Sequence, residues 1–177
     1  AVRFAVYHLT SAANPEDECV SVGARGLTGD AYFGHVFWDT EIYLLPFYVG
    51  VWPEAARALL MYRYHTLHGA RAKAAHFGFR GALYAWESAD TGEETTPERV
   101  IGADGTPVEI LTGRMEHHIS ADVAYAVWQY WRFTRDDDFF LRAGAEMLLE
   151  TARFWASRAV AEADGKRHIR HVIGPDE

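Results

Sequence analysis

Ile119, Val123, Val127, Tyr130 and Trp131 recur at intervals of three and four residues, the spacing that lines one face of an α-helix. No stretch offers a comparably regular two-residue alternation, so repeated strands are not expected, and no glycine motif suited to cradling phosphate is present. The same signal predicts helices elsewhere. Residues 3–13 form a short one, and residues 40–49 a buried one that Pro46 only kinks. Pro53 suits the first position of a long helix over 54–77, with Leu60, Tyr64 and Leu67 on one face and Gly78 as its stop. Asp136 and Asp137 are candidate N-caps for a last helix reaching about Ala163, striped by Phe140, Ala143, Met147, Thr151, Phe154 and Trp155. Residues 167–173 alternate weakly and suit a short extended segment.

Two of the connections are long. Residues 21–39 hold Gly23, Gly26, Gly29 and Gly34 among Arg25, His35, Trp38 and Asp39, and residues 86–113 are polar and acidic with one turn signal at Asp104-Gly105. A bundle of helices with short connections has no use for such loops, and ordered loops of this length are usually functional. An all-α toroid places them on one face, around a pocket. With no fixed short repeat, a solenoid is disfavoured.

Composition narrows the function. Of 177 residues, 49% are hydrophobic and 24% charged, which excludes intrinsic disorder. No apolar run approaches the ~20 residues that span a bilayer, because Pro46 and Gly50 break residues 42–52. A net charge of −8 without a basic stripe argues against nucleic acid or an anionic membrane as partner. The single cysteine, Cys19, cannot pair within the chain and fits a reducing, cytoplasmic setting, with an inert thiol as its default. Six Trp, nine Tyr and ten Phe beside nine His and 25 acidic residues suit a ligand with apolar faces and many hydroxyls, such as a sugar; they equally suit a large helical core.

Several residues could carry that chemistry. Trp38 could stack on a sugar ring while Asp39 accepts from two adjacent hydroxyls; alternatively Trp38 is core and Asp39 or Thr40 caps the next helix. Trp86, Glu87, Asp90, Glu93 and Glu94 read either as readers of sugar hydroxyls or as a solvated loop around one buried indole. Glu116, His117 and His118 precede a helix; adjacent histidines converge poorly on a metal, and His65 and His68 bring no third ligand, so no metal is expected. One of the loop histidines is better suited to hydrogen-bond a ligand or to cap its helix. Glu177, behind Gly174-Pro175-Asp176, would suit a general acid if desolvation kept it protonated.

Taken together these segments resemble glycoside hydrolase family 65, which holds maltose, trehalose and kojibiose phosphorylases and related α-glucoside hydrolases. The resemblance is carried by Gly23-Ala24-Arg25-Gly26-Leu27-Thr28-Gly29-Asp30, His35-Val36-Phe37-Trp38-Asp39-Thr40-Glu41 and Trp86-Glu87-Ser88-Ala89-Asp90-Thr91-Gly92-Glu93-Glu94. It continues in His117-His118-Ile119-Ser120-Ala121-Asp122, Glu150-Thr151-Ala152-Arg153-Phe154-Trp155 and Val172-Ile173-Gly174-Pro175-Asp176-Glu177.

The resemblance implies an all-α fold, the first half of an (α/α)6 barrel catalytic domain with long loops on one face. Residues 1–177 would be a partial domain ending at the catalytic Glu motif, without the family's N-terminal β-sandwich or the rest of its barrel, and poorly stable and inactive alone. Glu177 would be the catalytic acid; Trp38, Asp39, Arg25, Trp86, Glu87, Glu93, Glu94 and His117 would bind substrate. The implied reaction is inverting phosphorolysis of a trehalose- or kojibiose-type disaccharide to β-glucose 1-phosphate and a free sugar. It takes inorganic phosphate as co-substrate, needs no cofactor, and the full-length protein would be a homodimer. A trehalase-like hydrolase of the same family and a catalytically silent sugar-binding helical domain are the alternatives.

Overall fold

The computed structural model describes residues 1–29 and 31–175; Asp30, Asp176 and the expected acid Glu177 lie outside the described residues. Helices dominate. Helix α1 (Val2–Ala12) precedes the glycine-rich loop, in which Ala31–Gly34 forms one 3-10 turn. A π-helical turn, Thr40–Leu44, runs into α2 (Leu45–Val51), followed by α3 (Pro53–His65) and α4 (Leu67–His76). After the second long loop come α5 (Thr112–Met115), α6 (Ile119–Thr134), α7 (Asp137–Phe139), a second π turn at Phe140–Gly144, and α8 (Ala145–Arg158).

Three departures from the sequence expectations have physical causes. The long helix over 54–77 is two helices, because Thr66 is pressed by the second loop: a Cβ on Gly92 would lie 2.4 Å from the Thr66 Cβ. Thr66 Oγ1 also donates to the Tyr62 carbonyl at 2.8 Å, the back-bonding that bends helices. The kink expected at Pro46 takes the form of a π turn just before it, with Leu45 N–H donating to Thr40 O; widening accommodates a ring that would crowd the carbonyl four residues back. The last helix stops at Arg158 rather than near Ala163, and its π turn brings Phe139, not Phe140, fully into the core. Its cap is as expected, Asp136 accepting from Phe139 N–H at 3.0 Å.

Strands are few. β1 (Arg99–Ile101) pairs antiparallel with β2 (Pro107–Glu109), Val100 opposite Val108, across the Asp104-Gly105 turn where Gly105 takes φ +81°. β3 (Val160–Ala161), in a stretch expected to be helical, pairs with β4 (Arg167–His168), which opens the region expected to be extended.

The core lies along α3 and α6. Helix α3 packs against α2 and α6, and α6 against α8, with Leu45, Leu60, Val123, Val127, Phe139 and Met147 buried between them. Each such side chain stabilises the fold by roughly 1.5–3 kcal/mol. The sequence reading did not anticipate residues 82–85, which thread extended and buried between helices. Their backbone is satisfied from three sides: Ala82 N–H donates to Glu150 O, Leu83 N–H to Ala70 O and Tyr84 N–H to Ser120 Oγ. Gly81 lets this segment approach α8, since a Cβ there would lie 2.2 Å from Glu150 O. Helix α1 buries none of its residues, and Phe4 and Tyr7 stand in solvent. Among the described residues no helix is long and apolar enough to cross a membrane.

Candidate active site

The two long loops meet, and α3 supplies the brace. Val36 and Ser88 form an antiparallel bridge, Val36 N–H donating to Ser88 O at 2.9 Å and Ser88 N–H to Val36 O at 3.0 Å. Beneath it lies Arg63, 1% exposed, whose Nε and Nη2 donate to Glu41 Oε1 and Oε2 at 2.7 and 2.8 Å. Nη2 also donates to Phe37 O at 3.1 Å, fixing the backbone just before Trp38-Asp39. Burial opposes the charge on Arg63, but Glu41 more than compensates and raises its pKa above the ordinary guanidinium value. The Tyr62 hydroxyl donates to Ala89 O at 2.5 Å and meets Ser88 Oγ at 3.0 Å, holding the other loop to the same helix.

Glu94 is the internal staple of the second loop. Its carboxylate accepts from Lys73 Nζ, from the N–H groups of Trp86 and Glu87 at 2.9 and 3.1 Å, and from the Thr96 hydroxyl at 2.6 Å. Burial holds the Lys73 ammonium below its usual pKa against the pull of Glu94. Across the loops, His35 Nδ1 stands 2.7 Å from Glu87 Oε1.

These contacts surround a hollow of about 420 Å3 walled by Tyr32, Phe33, Phe37, Trp86, Asp39 and Glu87. Two carboxylates that can accept from hydroxyls, set among aromatic faces, suit a sugar ring, and the volume falls within the ~300–1,000 Å3 of small-molecule sites. Asp39 precedes a helical turn but makes no capping hydrogen bond. Trp38 is half-buried, packed against the core and against the ring of His118.

The other sequence candidates fall elsewhere. Glu94 spends its oxygens within the loop, and Glu93 is exposed on a separate cleft of about 840 Å3 beside Lys73, Arg99 and Arg114. Arg25 lines a different hollow, of about 290 Å3, against Phe4, His8 and Leu9 of α1. His117 faces away from the indoles: its ring meets Phe154 edge-on at 5.6 Å, Nε2 lies 3.0 Å from Arg114 O, and Nδ1 accepts from Arg158. Burial, reinforced by the charges of Arg158 and Lys73 against its bond to Arg114 O, lowers its pKa to about 4.

The neighbouring His118 is the one that reaches the aromatic wall, with ring centroids 5.0 Å from Trp38 and 6.0 Å from Trp86. Its partners are Asp122 and Glu116, and although burial disfavours its charge, their hydrogen bonds and charges raise its pKa. Sequence reasoning also missed Arg63 and Glu41. The available signal for Arg63 was a charge directly after the apolar run Ala58-Leu59-Leu60-Met61-Tyr62, and for His118 an aspartate one helical turn ahead. Among the described residues no three His, Cys, Asp or Glu side chains gather as a metal site.

Residues 3–177 match the family model described as the glycosyl hydrolase family 65 central catalytic domain. The chain belongs to glycoside hydrolase family 65. It is 59% identical over 179 residues to the kojibiose phosphorylase of Caldanaerobacter subterraneus subsp. tengcongensis, covering 100% of this chain and 23% of that protein. It is 42% identical over 176 residues to the kojibiose hydrolase of Flavobacterium johnsoniae, covering 99% of this chain and 24% of that one. A solved structure from the human microbiome, provisionally named a kojibiose phosphorylase, superposes with a TM-score of 0.86 at 33% identity, covering 99% of this chain and 22% of its own. The family 65 fold thus accounts for the helical architecture, and the chain spans about a quarter of the length of these relatives. The helices described above are a portion of the family's all-α barrel.

Proposed function

We propose that the full-length protein carrying this chain phosphorolyses an α-linked glucose disaccharide, with kojibiose as the leading substrate. The observation that carries the reading is the hollow in which Asp39 and Glu87 share walls with Trp86 and three further aromatic rings. Asp39 accepts hydrogen bonds from the transferred glucosyl unit, Trp38 and Trp86 supply apolar faces, and the loop from Trp86 to Glu94 shapes the neighbouring acceptor subsite. Glu177 protonates the glycosidic oxygen as its bond to the anomeric carbon breaks. Inorganic phosphate attacks that carbon from the opposite face, giving β-glucose 1-phosphate and a free sugar. Phosphate is already ionised at neutral pH, so its attack needs no carboxylate base. Identity of 59% to a kojibiose phosphorylase across the whole chain supports the choice of substrate.

The Flavobacterium kojibiose hydrolase, at 42% identity, favours a second reading in which water replaces phosphate. That reaction needs a second carboxylate to activate the water, about 6.5–9.5 Å from the acid. The full-length protein, incubated with kojibiose, trehalose, nigerose and maltose with and without phosphate, separates the two. Phosphate-dependent release of β-glucose 1-phosphate, fastest from kojibiose, is the expected result. Glucose release indifferent to phosphate would make the protein a hydrolase, and sugar binding without turnover would leave a silent binding domain.

A further inference from the structure

Beside the sugar hollow, a histidine and two acids form a cluster that the proposed reaction does not use. His118 stands directly before α6, with Nδ1 2.6 Å from Asp122 Oδ2 and Nε2 3.1 Å from Glu116 Oε2. A neutral imidazole carries one N–H and would turn a lone pair on one of these carboxylates; only the imidazolium donates to both. The same ring meets Trp38 and Trp86 edge-to-face, at interplanar angles of 88° and 76°. Glu116 is fully buried and its backbone bridges Ile173 in parallel, with Ile173 N–H donating to Met115 O at 3.1 Å. Ile173 lies four residues before Glu177 in sequence. One imidazole therefore touches both loops of the hollow through their indoles and, through Glu116, the segment that continues to Gly174-Pro175.

We propose that His118, held as an imidazolium between Glu116 and Asp122, is a positioning residue that fixes the Trp38 and Trp86 indoles relative to the segment running from Ile173 to Gly174-Pro175. The inference rests on the sugar-phosphorolysis reading of the same hollow. His118 is not the proton donor of the reaction, because both of its N–H groups are committed to carboxylates. The charged groups that face the ring are Asp122 from its own helix and Glu116 from the turn after α5, while the two loops present Trp38 and Trp86 and the π turn Thr40–Leu44 places Tyr43 beside Trp38. His117 turns to the opposite side, towards Phe79 and Phe154.

Full-length H118Q and D122N, assayed for kcat and KM between about pH 5.5 and 8.5, test the role. Removing the Asp122 charge lets the ring lose its proton at lower pH. D122N is expected to approach the wild type at the acid end and to fall about tenfold in kcat/KM relative to it at the alkaline end. H118Q, which cannot carry the charge, is expected to lose about tenfold throughout, with both variants remaining folded at the assay temperature. Losses of the same size at every pH in both variants, together with lowered thermal midpoints, would overturn the proposal in favour of a packing role. Wild-type kinetics in both would overturn it as well. If H118Q does not fold, the D122N profile decides alone; if neither folds, the role is structural and the proposal falls. A wild type that turns over no disaccharide sinks the phosphorylase reading instead, and glucose titrations followed by tryptophan fluorescence over the same pH range then test the positioning role. A wild type that binds no glucose overturns both.

Discussion

Arg63 of α3 and Arg71 of α4 both reach glutamates, but the two regions they serve are built to different ends. On the side of the hollow between the two loops, Arg63 is buried with Glu41 in a bidentate pair, and His118 lies between two carboxylates. Along the seam of α4 and α8, Arg71 reaches Glu146 and Glu150 with 41% of its side chain exposed, and His117 lies among Phe79, Phe154 and Arg158. In the first region charge is taken out of water to hold two irregular loops; in the second, water screens the ion pairs and the histidine is kept neutral. The lesson is that the Arg63–Glu41 pair beneath the hollow cannot lose one partner alone, whereas the seam is held mainly by apolar contact.

The comparison breaks most sharply at Arg63. In the full-length protein, Arg63→Ala is expected to cost about 3–5 kcal/mol, because Glu41 is left buried without its counter-charge. Urea unfolding measures it, and a midpoint close to wild type would mean that the pair is not desolvated as described. Replacing both partners, as in Arg63→Met with Glu41→Leu, should recover much of the loss in stability while leaving the loops less well held.

The seam histidine gives the next effect. With a folded pKa of about 4 against about 6.5 unfolded, His117 refuses a proton that the unfolded chain accepts. Its contribution is present above pH 6.5 and is lost as pH falls towards 4, amounting to roughly 3 kcal/mol by the end of that window. His118 acts in the opposite sense: its raised pKa stabilises the fold below its unfolded value, and that stability is lost as pH rises through the folded one. Acid titration of stability should therefore be shallower in His117→Gln than in wild type, and an unchanged acid limb would contradict the buried placement of this ring.

At the hollow itself, Asp39→Asn separates binding from stability. The side chain caps nothing, so the thermal midpoint should stay put while sugar affinity drops by roughly 10- to 100-fold, the worth of charge-assisted hydrogen bonds of about 1.5–3 kcal/mol. Glu94→Gln should do both: it strands the Lys73 ammonium and loosens the backbone of Trp86 and Glu87, costing about 2 kcal/mol in stability and weakening sugar binding as well. Binding calorimetry beside thermal melting distinguishes the two variants. Smallest of all is Arg71→Ala, expected to cost less than about 1 kcal/mol because Arg71 is 41% exposed and the buried Glu150 keeps Arg153 as a partner. A loss as large as that of Arg63→Ala would erase the distinction between the regions.

Much of the helical layout was legible from local pattern. The 3.6-residue periodicity of α6, the Pro53 start of α3, the Asp136 cap and the Gly78 stop depend on residues near one another in sequence, so they could be read without the fold. The break at Thr66 could not, because its cause is Gly92 arriving from another loop. The same division runs through the hollow. Trp38, Asp39, Trp86 and Glu87 were identifiable as chemistry-bearing residue types in two unusual loops, and their order in the chain carries the family resemblance. That Val36 pairs with Ser88, that Arg63 lies beneath both loops, and that His118 rather than His117 turns to the indoles are decided by contacts across dozens of residues. Sequence alone determined which elements form and which residue types line the loops, because short-range sterics and periodicity govern those choices. Only the tertiary structure decided which neighbour of each pair faces the site, since burial and partner charge depend on what the rest of the chain brings there.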